Sequence, residues 1–296
     1  MKRSRISLIY WSEDNFGDAL SPVVIEELSG NLTQLKHAYK SKFRRFVKSI
    51  IYFSPKELNT ILFPWQENVL GVGSVICCGN SKSKVWGSGF MSNSGDFLGG
   101  SVFAVRGPST SKRLVEQGFD KCEVYGDPAL LLPLWEEPVE KKTHQLGIVP
   151  HWKETDKFIE EYGDKYKIID LRTKDIKKVI TEITSCEYIL STSLHGIIVA
   201  HAYNIPSLWI KKGFIETDGF KFADYFGSVG IPAYTGFEDI ESILLSDANW
   251  KALFLDNEDK SSISIDLNEI QFGLLKAFPF SLKDKYEQLL KRGKSL

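Results

Sequence analysis

Tyr188-Ile189-Leu190-Ser191-Thr192-Ser193-Leu194-His195-Gly196 is the stretch where the chain changes character. Its first three residues are apolar and read as a short buried strand. The next run, Gly196-Ile-Ile-Val-Ala-His-Ala-Tyr203, has the length of a helix, and Asn204 with Ile205-Pro206 beyond it is a stop signal. Ser207-Leu208-Trp209-Ile210 follows as another apolar run. Strand, helix and strand in that order form a βαβ unit and predict a parallel sheet. Ligands of such sheets bind beyond the carboxyl ends of the strands. The hydroxyls of Ser191, Thr192 and Ser193 are therefore expected there, beside the N–H groups of a helix N-terminus that favour an anion. His195 adds a titratable group in the same first turn. A histidine in a helix is more often structural than catalytic, so its functional weight comes from these neighbours. His201 lies six residues on, about 600° around the helix, and shares no face with His195. The two make a poor metal pair, and His201 reads as structural.

Composition narrows the class of protein. With 296 residues the chain has room for one large or two modest domains. Its 43% apolar and 25% charged residues are those of an ordinary globular protein. A net charge of −1 gives no reason to expect nucleic acid. The four cysteines, Cys77, Cys78, Cys122 and Cys186, form no CxxC pair. Neither a zinc site nor a disulfide framework is indicated, which fits a reducing cytoplasm. The basic start at Lys2 and Arg3 leads into an apolar stretch too short for a signal peptide, and no run reaches membrane-spanning length.

Upstream, Ile6-Ser-Leu-Ile-Tyr10 reads as a first strand and residues 11–18 as its loop, which carries Asn15, Gly17 and Asp18. Pro22 is expected to open a helix with Ser21 as its N-cap. Asp18 suits a turn, and its place after the first strand also puts it at the cleft edge. Between Glu27 and Glu57 there are seven basic residues, Lys36, Lys40, Lys42, Arg44, Arg45, Lys48 and Lys56, and no acidic one. With the interleaved aromatic and aliphatic residues this segment suits an anionic membrane surface. A solvated helical insertion with one apolar face on the core is the favoured account.

Further along, Gly87-Ser88-Gly89 lets the backbone approach a ligand, although so short a glycine cluster is weak alone. Val102-Phe-Ala-Val-Arg106 ends a strand on an arginine, whose planar fork clamps carboxylate or phosphate. Pro108 leads into a helix through Lys112 to Gln117, with Gly118 as its stop. Gly126-Asp127-Pro128 repeats the strand-to-turn theme, and Asp127 suits a cap. Residues 135–143 are charged, contain Pro138 and lack periodicity, so they read as a linker. Beyond them the sequence predicts a strand over 145–149 that ends at His151, a helix over 157–162, a strand over 166–171 closed by Arg172, and a helix over 176–186. Lys211 ends the last strand of the central unit. Residues 282–291 form an amphipathic helix.

Taken in order, Asn15-Phe-Gly-Asp18, Val105-Arg-Gly-Pro-Ser109, Gly126-Asp-Pro-Ala-Leu-Leu131 and Ser191-Thr-Ser-Leu-His-Gly196 resemble the polysaccharide pyruvyl transferases. The likeness spans roughly residues 6 to 212 and leans toward the bacterial exopolysaccharide ketal-forming branch. It implies an α/β protein with two Rossmann-like lobes around a cleft, GT-B-like. The lobes would cover 1–137, with a basic insertion near 33–66, and 138–296, with the last helix crossing back. It also implies transfer of the pyruvyl group of phosphoenolpyruvate, as co-substrate, onto a sugar of a capsule or other surface polysaccharide, free or lipid-linked, with no cofactor and no metal. The expected place is the cytoplasm, with peripheral contact at the inner membrane face as an option. By position His195 matches the family's proposed general acid and Arg106 a donor-binding arginine. Asp18 and Asp127 would orient or deprotonate the acceptor hydroxyls. Asn15, Gly17, Ser88, Ser191, Thr192, Ser193 and Leu194 complete the expected substrate-binding set. Many members of the family carry arginine two residues before the histidine, where this chain has Ser193. A second clamp is then expected from Lys211, Arg172 or His151. The alternatives are a GT-B nucleotide-sugar glycosyltransferase, whose acidic ribose ligand has no firm candidate, and a non-catalytic saccharide-binding protein on the same fold.

Overall fold

The computed structural model describes residues 5–11, 14–36, 66–213 and 218–293. Among the described residues nine strands form two wholly parallel sheets. The first sheet holds β1 (Arg5–Ile9), β2 (Leu32–Lys36), β3 (Asn68–Leu70), β4 (Ser83–Trp86) and β5 (Ser101–Ala104), in the order β2-β1-β3-β4-β5. The second holds β6 (His144–Val149), β7 (Lys167–Ile168), β8 (Cys186–Ser191) and β9 (Ser207–Trp209), in the order β7-β6-β8-β9. In each sheet the second strand lies on one side of the first and the third strand on the other. That reversal opens a crevice between β1 and β3 and between β6 and β8, beyond their carboxyl ends.

The helices are α1 (Phe16–Ser29), α2 (Pro108–Glu116), α3 (Thr155–Tyr162), α4 (Ile176–Thr184), α5 (Leu194–Ala202), α6 (Phe220–Ser228), α7 (Ile240–Leu244), α8 (Asp247–Asp256), α9 (Glu258–Ser261), α10 (Leu267–Lys276) and α11 (Asp284–Arg292), with 3₁₀ turns at Ile76–Cys78 and Pro128–Leu134. Both sheets share one core. Leu20, Val24 and Leu28 of α1, Val179 and Ile183 of α4, Ile197 and Ile198 of α5, and Leu130 and Leu131 of the 3₁₀ turn are all in one buried cluster. Each such side chain contributes about 1.5–3 kcal/mol on burial. Phe16 N–H donates to Leu171 C=O at 2.9 Å, and Trp86 Nε1 to Leu274 C=O at 2.9 Å.

Several boundaries differ from the sequence reading. Helix α1 begins at Phe16, not Pro22, because the Asn15 side chain accepts from Gly17 N–H and caps it there. Pro22 lies inside the helix, where its missing N–H leaves the Asp18 carbonyl without a helical donor. A mid-helix proline imitates an opening one. The helix ends on Gly30 at φ 68°, whose N–H donates to Glu26 C=O. Helix α2 starts at Pro108, the residue expected to lead into it, whereas α5 starts at Leu194, earlier than expected, and the strand expected over 166–171 is cut to Lys167–Ile168. The expected insertion near 33–66 begins inside β2, whose last residue, Lys36, is buried and donates to Gln66 Oε1 at 2.6 Å. Lys40, Lys42, Arg44, Arg45, Lys48 and Lys56 lie outside the described residues.

The last helix is fastened to the first. Lys283 N–H donates to Leu28 C=O at 2.8 Å, while Lys283, Lys285 and the Tyr286 hydroxyl all reach the Glu27 carboxylate, at 2.9, 2.7 and 2.8 Å.

Candidate active site

The two crevices meet where Gly17 abuts His195. Gly17 stands in the first turn of α1, beyond β1, and His195 in the first turn of α5, beyond β8. A Cβ built on Gly17 would lie 2.8 Å from Cγ of His195 and closer still to Nδ1 and Cε1. The imidazole therefore rests on bare backbone, and only glycine leaves room for it. Gly196 has a similar role one residue on, since a Cβ there would press on Ser191 Oγ and Val149. His195 is partly buried, and its Nε2 is sealed from solvent without a hydrogen-bond partner. Burial, with Lys221 and Arg106 beside it, pushes the ring down to about 3, so the resting imidazole is neutral near pH 7.

The three hydroxyls before it divide their tasks. Ser191 Oγ bonds Val149 C=O at 2.7 Å, Ser193 C=O at 2.8 Å and Ser193 N–H at 3.0 Å, so it ties down the turn. Thr192 Oγ1 donates to Glu154 at 2.5 Å and accepts from His151 N–H at 2.7 Å. Ser193 is the N-cap residue of α5 but makes no side-chain cap bond, so its hydroxyl has no internal partner among the described residues. Of the expected hydroxyl set, Ser193 is the one open to a ligand. Leu194 is buried as the first helical residue.

Arg106 departs most from expectation. It stands beyond β5 as predicted, but its side chain has no exposed surface. Nε donates to Asp224 at 3.0 Å, one terminal nitrogen to Ser74 Oγ at 2.7 Å and the other to Phe90 C=O at 2.5 Å. Asp224 also accepts from Thr110 N–H and Oγ1, both at 2.7 Å. The guanidinium is held inside the fold, so no carboxylate or phosphate reaches its fork in this arrangement; its positive field still acts on His195. Ser88 is likewise enclosed, donating to Gly73 C=O at 2.9 Å and accepting from Val75 N–H.

The two acids remain in play. Asp18 lies beside Gly17, and burial pushes its carboxyl up to about 6 against a hydrogen bond from the Trp11 backbone. Asp127 caps the 3₁₀ turn through Ala129 N–H at 3.0 Å, while its Oδ2 is buried and unpartnered. Burial raises it to about 6 as well.

Of the three substitutes for a second clamp, Arg172 is paired with Asp156 and Asp170, and Lys211 with Glu238. His151 lines a small recess with Glu154, Thr192, Lys211, Lys212 and Lys221, and burial pushes its ring down to about 4. Lys212 is paired with Glu161. Lys221, the second residue of α6, has no carboxylate partner among the described residues; its ammonium sits 5.3 Å from the centre of the Phe222 ring. Lys221, Glu154 and Asp224 were not expected from sequence, because none stands in a recognisable motif. The recess adjoins, through Trp209 and Lys211, a wider cavity of about 670 Å³ lined also by Asn93, Asp218, Phe220 and Tyr234. His201 is structural: Nε2 donates to Ser261 C=O at 3.1 Å, so Nδ1 accepts from the Tyr225 hydroxyl at 3.0 Å. Among the described residues no three His, Cys, Asp or Glu side chains gather as a metal site, and no helix is long and apolar enough to cross a membrane.

Fold and site together define a parallel α/β protein with a neutral, enclosed histidine beyond the carboxyl ends of its strands. Residues 15–211 match the family described as polysaccharide pyruvyl transferase, a family of transferases, and the chain belongs to it. The match runs from the α1 cap to Lys211 and takes in Gly17, Arg106, Asp127 and His195, whereas Lys221 lies beyond it. An uncharacterized protein of Acanthamoeba polyphaga mimivirus is 31% identical over 170 residues, which are 54% of this chain and 59% of that protein. The match thus spans about three-fifths of the length of that curated relative.

Proposed function

We propose that this chain transfers the pyruvyl group of phosphoenolpyruvate onto two hydroxyls of one sugar in a surface polysaccharide or its lipid-linked precursor, forming a cyclic ketal and releasing phosphate. The observation that carries this reading is the unpartnered Nε2 of His195, held where the two crevices meet and beside the N-terminus of α5. The reading places the two sheets in two Rossmann-like, GT-B-like lobes with their boundary near 137, in a cytoplasmic enzyme that needs no cofactor.

The resting imidazole is a poor acid because it is neutral. An arriving donor brings several negative charges and offsets the cations that hold His195 down, so the ring takes up a proton as the donor binds. It then gives that proton to the methylene carbon of the enol, and positive charge develops on the adjoining carbon. One sugar hydroxyl attacks that carbon and loses its proton to Asp18, whose raised pKa suits a base. A second hydroxyl of the same sugar forms the other C–O bond as the C–O bond to phosphate breaks, its proton returning to His195. Ser193 and the α5 N–H groups hold the donor's oxygens. The 670 Å³ cavity, which shares Trp209 and Lys211 with the recess, offers aromatic and polar walls of the kind that suit a saccharide.

Phosphate release from phosphoenolpyruvate with a panel of galactosides, glucosides and mannosides tests the reading, with mass spectrometry of the acceptor. Release coupled to an acceptor that gains one pyruvyl ketal supports it, and no release with any acceptor counts against it. Membrane contact through the basic segment belongs to the same proposal. Salt-sensitive pelleting with anionic liposomes, lost when Lys40, Lys42, Arg44 and Arg45 become glutamine, is the expected result.

A further inference from the structure

Helices α5 and α6 touch through side chains: the His201 ring, in the last turn of α5, stacks on the Tyr225 ring of α6 at 5.9 Å and is hydrogen-bonded to its hydroxyl. At their N-terminal ends Thr192 and Lys221 line one recess. His195 and Lys221 are each the second residue of a nine-residue helix, and the Lys221 charge acts on the imidazole.

Cations outnumber acids around that recess, and the acids there have partners: Glu154 accepts from Thr192, and Asp218 accepts from the Asn93 and Phe220 N–H groups, which caps α6. Ser193 makes no side-chain cap bond to α5. His195 Nε2 is sealed and unpartnered. Asp224, one turn after Lys221, is taken up by Arg106 and Thr110. Lys211 and Lys212 have Glu238 and Glu161. Lys221 is left with an aromatic ring and no anion among the described residues. An enclosed ammonium without a counter-charge is costly to fold and is kept where a ligand supplies the charge.

We propose that Lys221 binds the phosphate group of the enol donor. The inference rests on the pyruvyl-transfer reading for the identity of that donor, while the anion site itself stands on the geometry of Lys221 and His195. A phosphate there lies beside the imidazole, so the same contact that binds the donor favours protonation of His195. The site becomes an acid only when it is occupied.

Calorimetry on the full chain tests this, with inorganic phosphate and phosphoenolpyruvate as probes and the wild type, Lys221→Gln and Lys221→Arg as proteins. Lys221→Gln should weaken both ligands by at least about tenfold, and Lys221→Arg should restore most of the loss. Without ligand, Lys221→Gln should melt no lower than the wild type, since it removes an uncompensated charge; a purely structural lysine would give the opposite. Unchanged affinity in Lys221→Gln, or a wild type that binds neither probe, overturns the inference. A wild type that binds phosphate through Lys221 but transfers no pyruvyl group leaves the anion site standing and removes the functional reading. Undiminished transfer by Lys221→Gln does the reverse.

Discussion

Gly17 and His195 are in contact across the two sheets, so the first turn of one helix shapes the position of the imidazole on another. Gly17→Ala should displace the ring while leaving the Asn15 cap intact. Turnover is expected to fall at least about tenfold, as misplacement of a reacting group by an ångström can cost more than that. Donor affinity should change less. Full activity of a well-folded Gly17→Ala protein would mean that the ring's position against α1 is immaterial.

His195→Gln should lower turnover by about 10²-fold or more and leave donor binding largely in place. It should also change the acid limb of stability. The folded imidazole lies at about 3, below its ordinary value of about 6.5. Between those values the unfolded chain binds the extra proton, so His195 makes stability fall as the pH drops through that window. Chemical denaturation from pH 7 to pH 4 should show a shallower decline in the variant. Parallel declines in the two proteins would place the acid sensitivity on other groups.

Asp224→Asn should destabilise the protein by about 3–5 kcal/mol, because it strands the enclosed Arg106 charge. Arg106→Lys should also cost stability, since it gives up the bonds to Ser74 and Phe90. If urea titration finds either variant as stable as the wild type, Arg106 is not the internal tie described here, and a donor-binding role regains ground.

Glu27→Gln tests the fastening of α11 to α1. Burial alone would raise the Glu27 carboxyl, but hydrogen bonds from Lys285, Lys283 and Tyr286 hold it at about 2. Its stabilisation is therefore present above about pH 4.3 and is lost as the pH falls toward 2. The variant should be about 1 kcal/mol less stable at pH 7, after solvent screening, with the gap closing on acidification. A gap that persists at pH 2 would rule out the charge as its source.

The parallel sheets were legible because each strand is a short apolar run bounded by turn residues, and the unit around Ser191 alone implies them. Gly17, Asp18 and His195 were legible as members of loops at strand ends. Contacts between distant segments were not. Asp224 lies 118 residues after Arg106, and nothing local to either announces the pair. Pro22 misled because proline opens helices far more often than it sits within them. Lys221 escaped because a lysine early in a helix is ordinarily solvated; only the want of a carboxylate partner among the described residues sets it apart.

The bond between Lys283 and Glu27 joins residues 256 positions apart. During synthesis α1 therefore leaves the ribosome long before its clamp exists. At about 5–20 residues per second the delay is roughly 10–50 s. Throughout that interval Glu27 has neither lysine, and the Leu28 carbonyl lacks its donor from Lys283. Helix α1 is thus made early and secured late, and a nascent chain stalled before residue 283 carries it unfastened.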